Sequence, residues 1–391
     1  MTTLLLFLGL IIALQSEPVK AQDLPAFTPG EIDRILAHGP WPQPARSDPS
    51  NRVSGNAQAI ALGERLFYSP RLSGTGGVLC ASCHEPWRAY SDGRSRGVGV
   101  EPVDRNTQSI VNVRLNRWFG WDGANDNLWA QSVRPLLARR EMRSSATHVA
   151  ALMRGDPDLS LLYQKAFGAP PPANDEALLV DVGKALAAYL ETLDSGRTPF
   201  DDFRDALARG DMAAAARYPL QAQRGLRIFI GKGKCAGCHA GPNFSDGAFH
   251  RSGIVSRFEN GEADTGRQGG VRKLLASPYT LLGRFSDAPA RATAPVPQQA
   301  SSEPDAAGAF RTPGLRQVTL TAPYMHDGSL AALCEVLRRH PAGEPAGGSD
   351  DAQPRPVALT REDRRDLLAF LGTLNEADLG RFDGANLSEC R

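Results

Sequence analysis

The five-residue unit Cys-x-x-Cys-His occurs twice, as Cys80-Ala-Ser-Cys83-His84 and Cys235-Ala-Gly-Cys238-His239, and no other feature limits the fold and chemistry as tightly. Two thiols separated by two residues on a helical turn reach both vinyl groups of one haem, and the adjacent imidazole then stands beneath the iron as its axial ligand. A thioredoxin-like thiol pair or a zinc site would use the cysteines, but neither asks for a histidine immediately after each pair. The motifs therefore predict two covalently attached haems c. Cys80, Cys83, Cys235 and Cys238 are the attachment points, and His84 and His239 are the proximal ligands to iron.

A chain of 391 residues with 41% hydrophobic side chains is long enough for two domains that each bury a haem. The formal net charge of +1 leaves no basic field for nucleic acid, so partner choice rests on local patches. Leu4 to Leu14 is an apolar run followed by polar residues and Val19-Lys20-Ala21, which reads as a signal peptide over residues 1–21 with cleavage before Gln22. The run lacks a preceding Lys or Arg, and an N-terminal anchor is the alternative, although a span needs about 20 apolar residues. The mature protein is then periplasmic. In that oxidising compartment the two remaining cysteines, Cys334 and Cys390, either pair as a disulfide or stay as separate buried thiols.

The chain repeats itself. Ala61-Leu-Gly-Glu-Arg-Leu-Phe67 is echoed by Gln223-Arg-Gly-Leu-Arg-Ile-Phe229, and Ser-Asp-Gly follows each haem motif, at 91–93 and 245–247. Asn106 to Val113 parallels Arg311 to Val318, and Trp121-Asp-Gly123 falls in register with His326-Asp-Gly328. The spacing of apolar residues predicts a helix over 57–67 and an amphipathic one over 176–193. Residues 25–49 read as a Pro-rich arm, and an insertion at about 250–305 reads as loops over the second haem or between domains. The expected class is mainly α, with two cytochrome-c-like haem domains arranged as an internal repeat: an N-terminal one over 22–205 and a C-terminal one over 206–391. In the repeat alignment Pro135 stands where the second copy has His340, each about four helical turns past its Asp-Gly turn. Proline cannot ligate iron and histidine can. The first iron is expected to be open, and the second closed by His340, with Met325, Tyr324, His326 and Tyr279 as competing ligands.

These motifs, with Gln131, Pro135 and Glu141-Met142 after Trp121-Asp-Gly123 and with Ala322-Pro-Tyr-Met-His-Asp-Gly328, resemble the bacterial di-haem cytochrome c peroxidases and MauG over nearly the whole mature length. The resemblance implies that the N-terminal haem reacts with hydrogen peroxide, that the C-terminal haem stores or relays oxidising equivalents, and that one calcium ion lies between the domains. It makes Glu141 the distal acid, with Gln131 beside it and Pro135 packed near the iron. A carboxylate there has a chemical task, because splitting peroxide unevenly moves a proton from the inner oxygen to the outer. The resemblance makes Trp121 the aromatic bridge between the haems. It assigns Asn106, with the carbonyls of Thr321 and Pro323, to calcium, which takes oxygen donors. As plain residues, Glu141 could be a solvated charge, Gln131 ordinary polarity, Trp121 a core aromatic beside Trp118 and Phe119, and Asn106 a turn residue.

Two departures from the resembled pattern bear on function. Conventional peroxidases of the family place a histidine in the loop after the first Ser-Asp-Gly, yet Arg94 to Arg105 holds no His, Met or Cys. At the position of His340 those peroxidases have Met and MauG has Tyr; imidazole donates more strongly than thioether and lowers the potential of the second haem. Both departures favour oxidation of a Trp or Tyr on a partner protein, as in MauG- or MbnH-like enzymes. The alternatives are peroxide removal with electrons from a small cytochrome c or cupredoxin, and a non-catalytic di-haem electron carrier. A homodimer is left open, and His38, His148 and His250 read as structural or surface residues.

Overall fold

The computed structural model describes residues 27–288, 307–339 and 357–376. The signal-peptide residues, His340 and Cys390 lie outside these. Helices predominate, in the order α1 (Pro29–Leu36), α2 (Ala57–Phe67), α3 (Leu128–Leu137), α4 (Ala146–Gly155), α5 (Pro157–Phe167), α6 (Asp175–Leu190), α7 (Pro199–Ala208), α8 (Met212–Ala215), α9 (Leu220–Ile230), α10 (Arg267–Ala276), α11 (Leu333–Arg339) and α12 (Arg361–Gly372). The sheet among the described residues is one antiparallel pair, β1 (Phe249–Arg251) with β2 (Ala309–Arg311).

The Pro-rich arm contains a helix that apolar spacing does not announce. Thr28 caps α1, its hydroxyl accepting from the Glu31 amide while Glu31 reaches back to the Thr28 amide, and Pro29 opens the first turn. Only eight residues long, α1 offers too few turns for a periodic stripe, and Ile35 is the side chain it buries completely.

Two large apolar clusters form. One gathers α2, α4, α5 and α6 around Leu62, Leu66, Phe67, Leu179 and Leu186. The other gathers Ile35 of α1 with α7, α9, α11 and α12 around Phe200, Phe229, Phe244 and Phe370. The boundary expected at 205/206 falls inside α7, whose Phe200, Phe203 and Ala206 all sit in the second cluster. Each cluster holds a close helix crossing at a glycine. A Cβ on Gly63 would collide with the carbonyl oxygen of Ala185, and one on Gly225 with that of Asp366, so α2 packs on α6, and α9 on α12, at a separation only glycine permits.

The stretch over 176–193 ends at Leu190 and is not amphipathic: every residue of α6 from Leu178 to Tyr189 is buried. Asp181 and Lys184 are both buried and both find polar partners. Asp181 accepts from Tyr163 Oη at 2.6 Å and pairs with Arg52 at 3.0 Å. Lys184 pairs with Asp287 at 2.6 Å and donates to the Phe285 carbonyl at 2.8 Å. These last partners belong to the insertion, and its residues 277–288 pack on the first half. Asn127 donates to the Tyr279 carbonyl, the Leu281 amide donates to Asp126, and the Asp287 amide donates to the Ser50 carbonyl. Residues 277–288 thus strap α3 and α6 from outside, a role loop composition alone does not reveal.

Candidate functional site

Each Cys-x-x-Cys-His unit folds as one tight helical turn, Cys80–Ser82 and Cys235–Gly237, in which the histidine amide bonds back to the first cysteine carbonyl at 3.0 and 2.9 Å. His84 Nδ1 donates to the Tyr90 carbonyl at 3.0 Å, and His239 Nδ1 to the Phe244 carbonyl at 3.0 Å. Both carbonyls belong to residues in the left-handed region, φ 56° at Tyr90 and 53° at Phe244, a strained backbone held where a ring must be aimed. With Nδ1 committed as a donor, Nε2 is the unprotonated nitrogen in each ring, as an iron ligand must be. The four cysteines are free, and burial pushes Cys80 and Cys235 up to about 12 and Cys83 to about 11. Paired thiols beside a tautomer-fixed imidazole are the donor set that haem c attachment requires, so the residues present fit the group in both places.

Above the first motif, α3 buries Trp129, Val133 and Leu136 and leaves Gln131, Arg134 and Pro135 on its less covered face. Asn127 caps this helix by accepting from the Ala130 amide at 2.7 Å. Glu141 follows in the turn after α3 and is clamped by Arg134, with Nη1 to Oε1 at 2.6 Å and Nη2 to Oε2 at 3.1 Å. Its charge is close enough to act on both Cys83 and His84. Burial is the largest influence on His84, lowering its pKa, with Glu141 and Asp92 acting the other way. The loop Arg94 to Arg105 lies against Glu141: the Val100 amide donates to the Glu141 carbonyl at 2.8 Å, and the Glu101 amide to that of Arg140 at 3.0 Å. A Cβ on Gly99 would run into the Glu141 backbone. Gln131 turns toward the Asp-Gly turn, Oε1 accepting from Asn125 at 2.8 Å.

Trp121 sits where the halves meet. Its Nε1 donates to the Asn106 carbonyl at 2.9 Å, and its own carbonyl accepts from the Arg311 amide at 2.9 Å. The adjacent Asp122 pairs with Arg105 at 2.8 Å and Lys273 at 3.0 Å, while Arg105 also pairs with Asp264 at 2.7 Å. Burial would raise the Asp122 carboxyl, but the two cations outweigh it and hold it down at about 2. Asn106 is buried; its amide nitrogen donates to the Arg94 carbonyl and its backbone amide to the His326 carbonyl. The Asn106 side-chain oxygen and the carbonyls of Thr321 and Pro323 accept no described hydrogen bond. These are the three oxygens expected to hold calcium.

In the second half, three competitors for the iron are otherwise engaged. His326 stacks on Phe310 with centroids 3.6 Å apart and its Nε2 bonds Ser256 Oγ at 2.7 Å, Tyr324 donates to the Val318 carbonyl, and Tyr279 is committed to the first half through Glu176. His340 lies outside the described residues, but α11 begins seven residues after His326, as α3 begins seven after Trp121. Cys334 is disulfide-bonded and buried. His38 is no surface residue: it is 2% exposed, stacks on Phe244 at 4.7 Å, and its Nδ1 donates to the Gly241 carbonyl at 3.1 Å. Sequence reasoning also passed over Arg134; its signal was a lone cation immediately before Pro135 on the face that points to Glu141.

The chain is similar to known proteins over most of its length. The profile of the family described as di-haem cytochrome c peroxidase matches residues 57–209. The methylamine utilization protein MauG of Methylorubrum extorquens is 35% identical over 319 residues, 81% of this chain and 78% of that protein. The cytochrome-c peroxidase IdrP2 of Denitromonas iodatirespirans is 32% identical over 337 residues, 82% of this chain and 83% of that one. A crystal structure of a MauG-like protein associated with microbial copper homeostasis aligns with a TM-score of 0.63 at 28% identity, covering 89% of this chain and 99% of the other.

Proposed function

Because the chain belongs to the di-haem cytochrome c peroxidase and MauG family, a family of peroxidase-type oxidoreductases with two c-type haems, we propose that it works in the periplasm as a MauG-like enzyme with an open first site. Hydrogen peroxide reacts at the haem held by Cys80, Cys83 and His84, and the oxidising equivalents are used on a Trp or Tyr of a partner protein. The observation that carries this reading is the Arg94 to Arg105 loop, which lies on the Glu141 side of the motif and has no His, Met or Cys to cap an iron.

The group supplies, when bound, the electrons that cleave the O–O bond. The chain supplies proton transfer and position. Arg134 fixes Glu141 through two hydrogen bonds, so a carboxylate oxygen stands ready to take the proton from the inner oxygen of peroxide and return it to the outer one. Pro135, on the same helix face, adds bulk and offers no ligand. Trp121 bridges toward the second half through its Asn106 and Arg311 contacts, and calcium held by Asn106, Thr321 and Pro323 pins that junction. The matching tight turns, carbonyl acceptors on left-handed residues and glycine crossings support two cytochrome-c-like domains related as an internal repeat, and the α11 register supports His340 as the second iron's distal ligand.

Electron paramagnetic resonance of the as-isolated ferric protein tests the open site. One high-spin and one low-spin haem are expected, and two low-spin haems would contradict the open first site. Glu141→Gln slows the reaction with peroxide by about 10²–10⁴-fold, seen in the haem absorbance after rapid mixing; an unchanged rate removes Glu141 from proton transfer. The relatives named as cytochrome-c peroxidases favour a second reading, peroxide removal with electrons from a small redox protein. Rapid peroxide-dependent oxidation of reduced cytochrome c would decide for that one.

A further inference from the structure

His84 is tied by its Nδ1 to the carbonyl of Tyr90, and the Tyr90 side chain opens a run of phenols that leads outward. Two of the phenols meet directly, Tyr189 Oη lying 3.4 Å from Tyr68 Oη. Phe67, 2% exposed, sits among the three, with ring centroids 6.3 Å from Tyr90, 5.3 Å from Tyr189 and 5.1 Å from Tyr68. Tyr189 is 6% exposed and Tyr68 is 42% exposed, so this pair leads from the interior to the surface. There Tyr68 lines a groove of about 670 Å³ with Glu64, Arg65, Arg71, Asp156 and Leu162, a volume suited to a small molecule. Burial raises the Tyr189 phenol far above its ordinary range, and its bond to Tyr68 acts in the same direction, so it is protonated at neutral pH.

We propose that Tyr90, Tyr189 and Tyr68 form an electron-entry relay from the groove to the proximal side of the first haem site, and that the groove takes a small phenolic one-electron donor. The inference rests on the peroxide-reactive first site proposed above. Reduction of one peroxide to two waters takes two electrons and two protons. Each electron leaves Tyr68 together with its hydroxyl proton, giving a neutral phenoxyl radical, and that radical recovers one hydrogen atom from the O–H of the donor. Two donor phenols thus become two phenoxyl radicals while one peroxide becomes two waters, and the chain is returned unchanged. Each phenolic proton is released to solvent in the groove where Tyr68 is exposed, and the two protons that end in water are taken up from solvent at the peroxide site, so charge balances over the turnover; the Tyr68–Tyr189 contact carries the electron. Trp121 lies on the other side of the motif, toward the second half, so the relay is a route separate from the inter-haem one.

The test maps the radical instead of relying on turnover. Holoprotein is treated with hydrogen peroxide and 2-methyl-2-nitrosopropane, a radical trap, and adducts are located by peptide mass spectrometry. An adduct on Tyr68 is expected, and Tyr189→Phe, which removes one hydroxyl and leaves the ring packing, lowers it about tenfold. Circular dichroism and the haem absorbance establish that the variant is folded and loaded. Tyr68→Phe is expected to lower the kcat/KM for guaiacol, used as the phenol probe, about tenfold. No adduct on Tyr68 despite a peroxide-induced change in the Soret band, or an undiminished adduct in Tyr189→Phe, overturns the relay and leaves the peroxide site intact. No Soret change at all overturns the peroxide site and the relay with it.

Discussion

Glu191, just beyond the last residue of α6, is the carboxyl whose environment most changes its chemistry. Burial raises it, Asp48 adds to the rise, and the Ser54 hydroxyl at 2.6 Å and Arg114 offset only part, leaving it at about 7. A carboxyl held above its unfolded value of about 4.3 keeps a proton in the folded state that the unfolded chain has lost. Stability from this group is therefore present below about pH 4 and falls as pH rises to about 7, by up to about 3 kcal/mol. Glu191→Gln should gain on the parent from pH 5 to pH 8 in chemical denaturation of the holoprotein; an equal difference at both pH values would exclude the titration. At this scale the sequence was most legible where a residue type has one use, as with the cysteines and histidines of the two motifs. It was least legible where a side chain's role depends on what faces it. Arg134 became meaningful only beside Glu141, and His38, read as structural or surface, only against Phe244.

Helices meet most closely at two glycines in equivalent places of the repeated segment. Gly63→Ala would drive a methyl into the Ala185 carbonyl and to 2.9 Å from Tyr189 Cβ, and Gly225→Ala one into the Asp366 carbonyl and to 2.8 Å from Phe370 Cβ. On an open helix surface the same change gains up to about 1 kcal/mol through helix propensity. Here the helices must move apart, and each variant is expected to lose about 1–3 kcal/mol, read as a drop of several degrees in Tm by calorimetry. A rise in Tm for either variant would mean the crossing is looser than the structure places it. The parallel Ala-Leu-Gly-Glu-Arg-Leu-Phe and Gln-Arg-Gly-Leu-Arg-Ile-Phe segments announced that the two sites correspond. They did not announce that the glycine is the contact, since closeness belongs to the partner helix. The bounds of α2 followed from its apolar spacing, 57–67 in both readings. Those of α6 did not, because a helix covered on all sides loses the polar face that periodicity depends on.

On the scale of the molecule, the insertion of the second half is a fastener for the first. Asp287 is the counter-ion of Lys184, which is 2% exposed, and also bonds the Arg52 amide at 2.8 Å. Asp287→Ala leaves the ammonium buried without its carboxylate, at a cost of about 3 kcal/mol, whereas Lys184→Met combined with Asp287→Ala recovers most of it. Hydrogen exchange across 277–288 should quicken in the single variant and return toward the parent in the double one; equal exchange in all three would mean the strap is held by its other contacts. By itself the sequence determined what depends on covalent order: two Cys-x-x-Cys-His units, the resemblance to a di-haem family, the mainly helical class, and a proline at 135 in the register where the parallel segment has His340. The tertiary structure decided what depends on distance between segments far apart in the chain. It placed the arm's α1 in the second core, clamped Glu141 with Arg134, folded the insertion onto α6, and brought the buried Tyr189 to the exposed Tyr68. The physical reason is that ligand chemistry is written in neighbouring residues, whereas the partner that buries, pairs or aims a side chain is chosen only when the chain closes on itself.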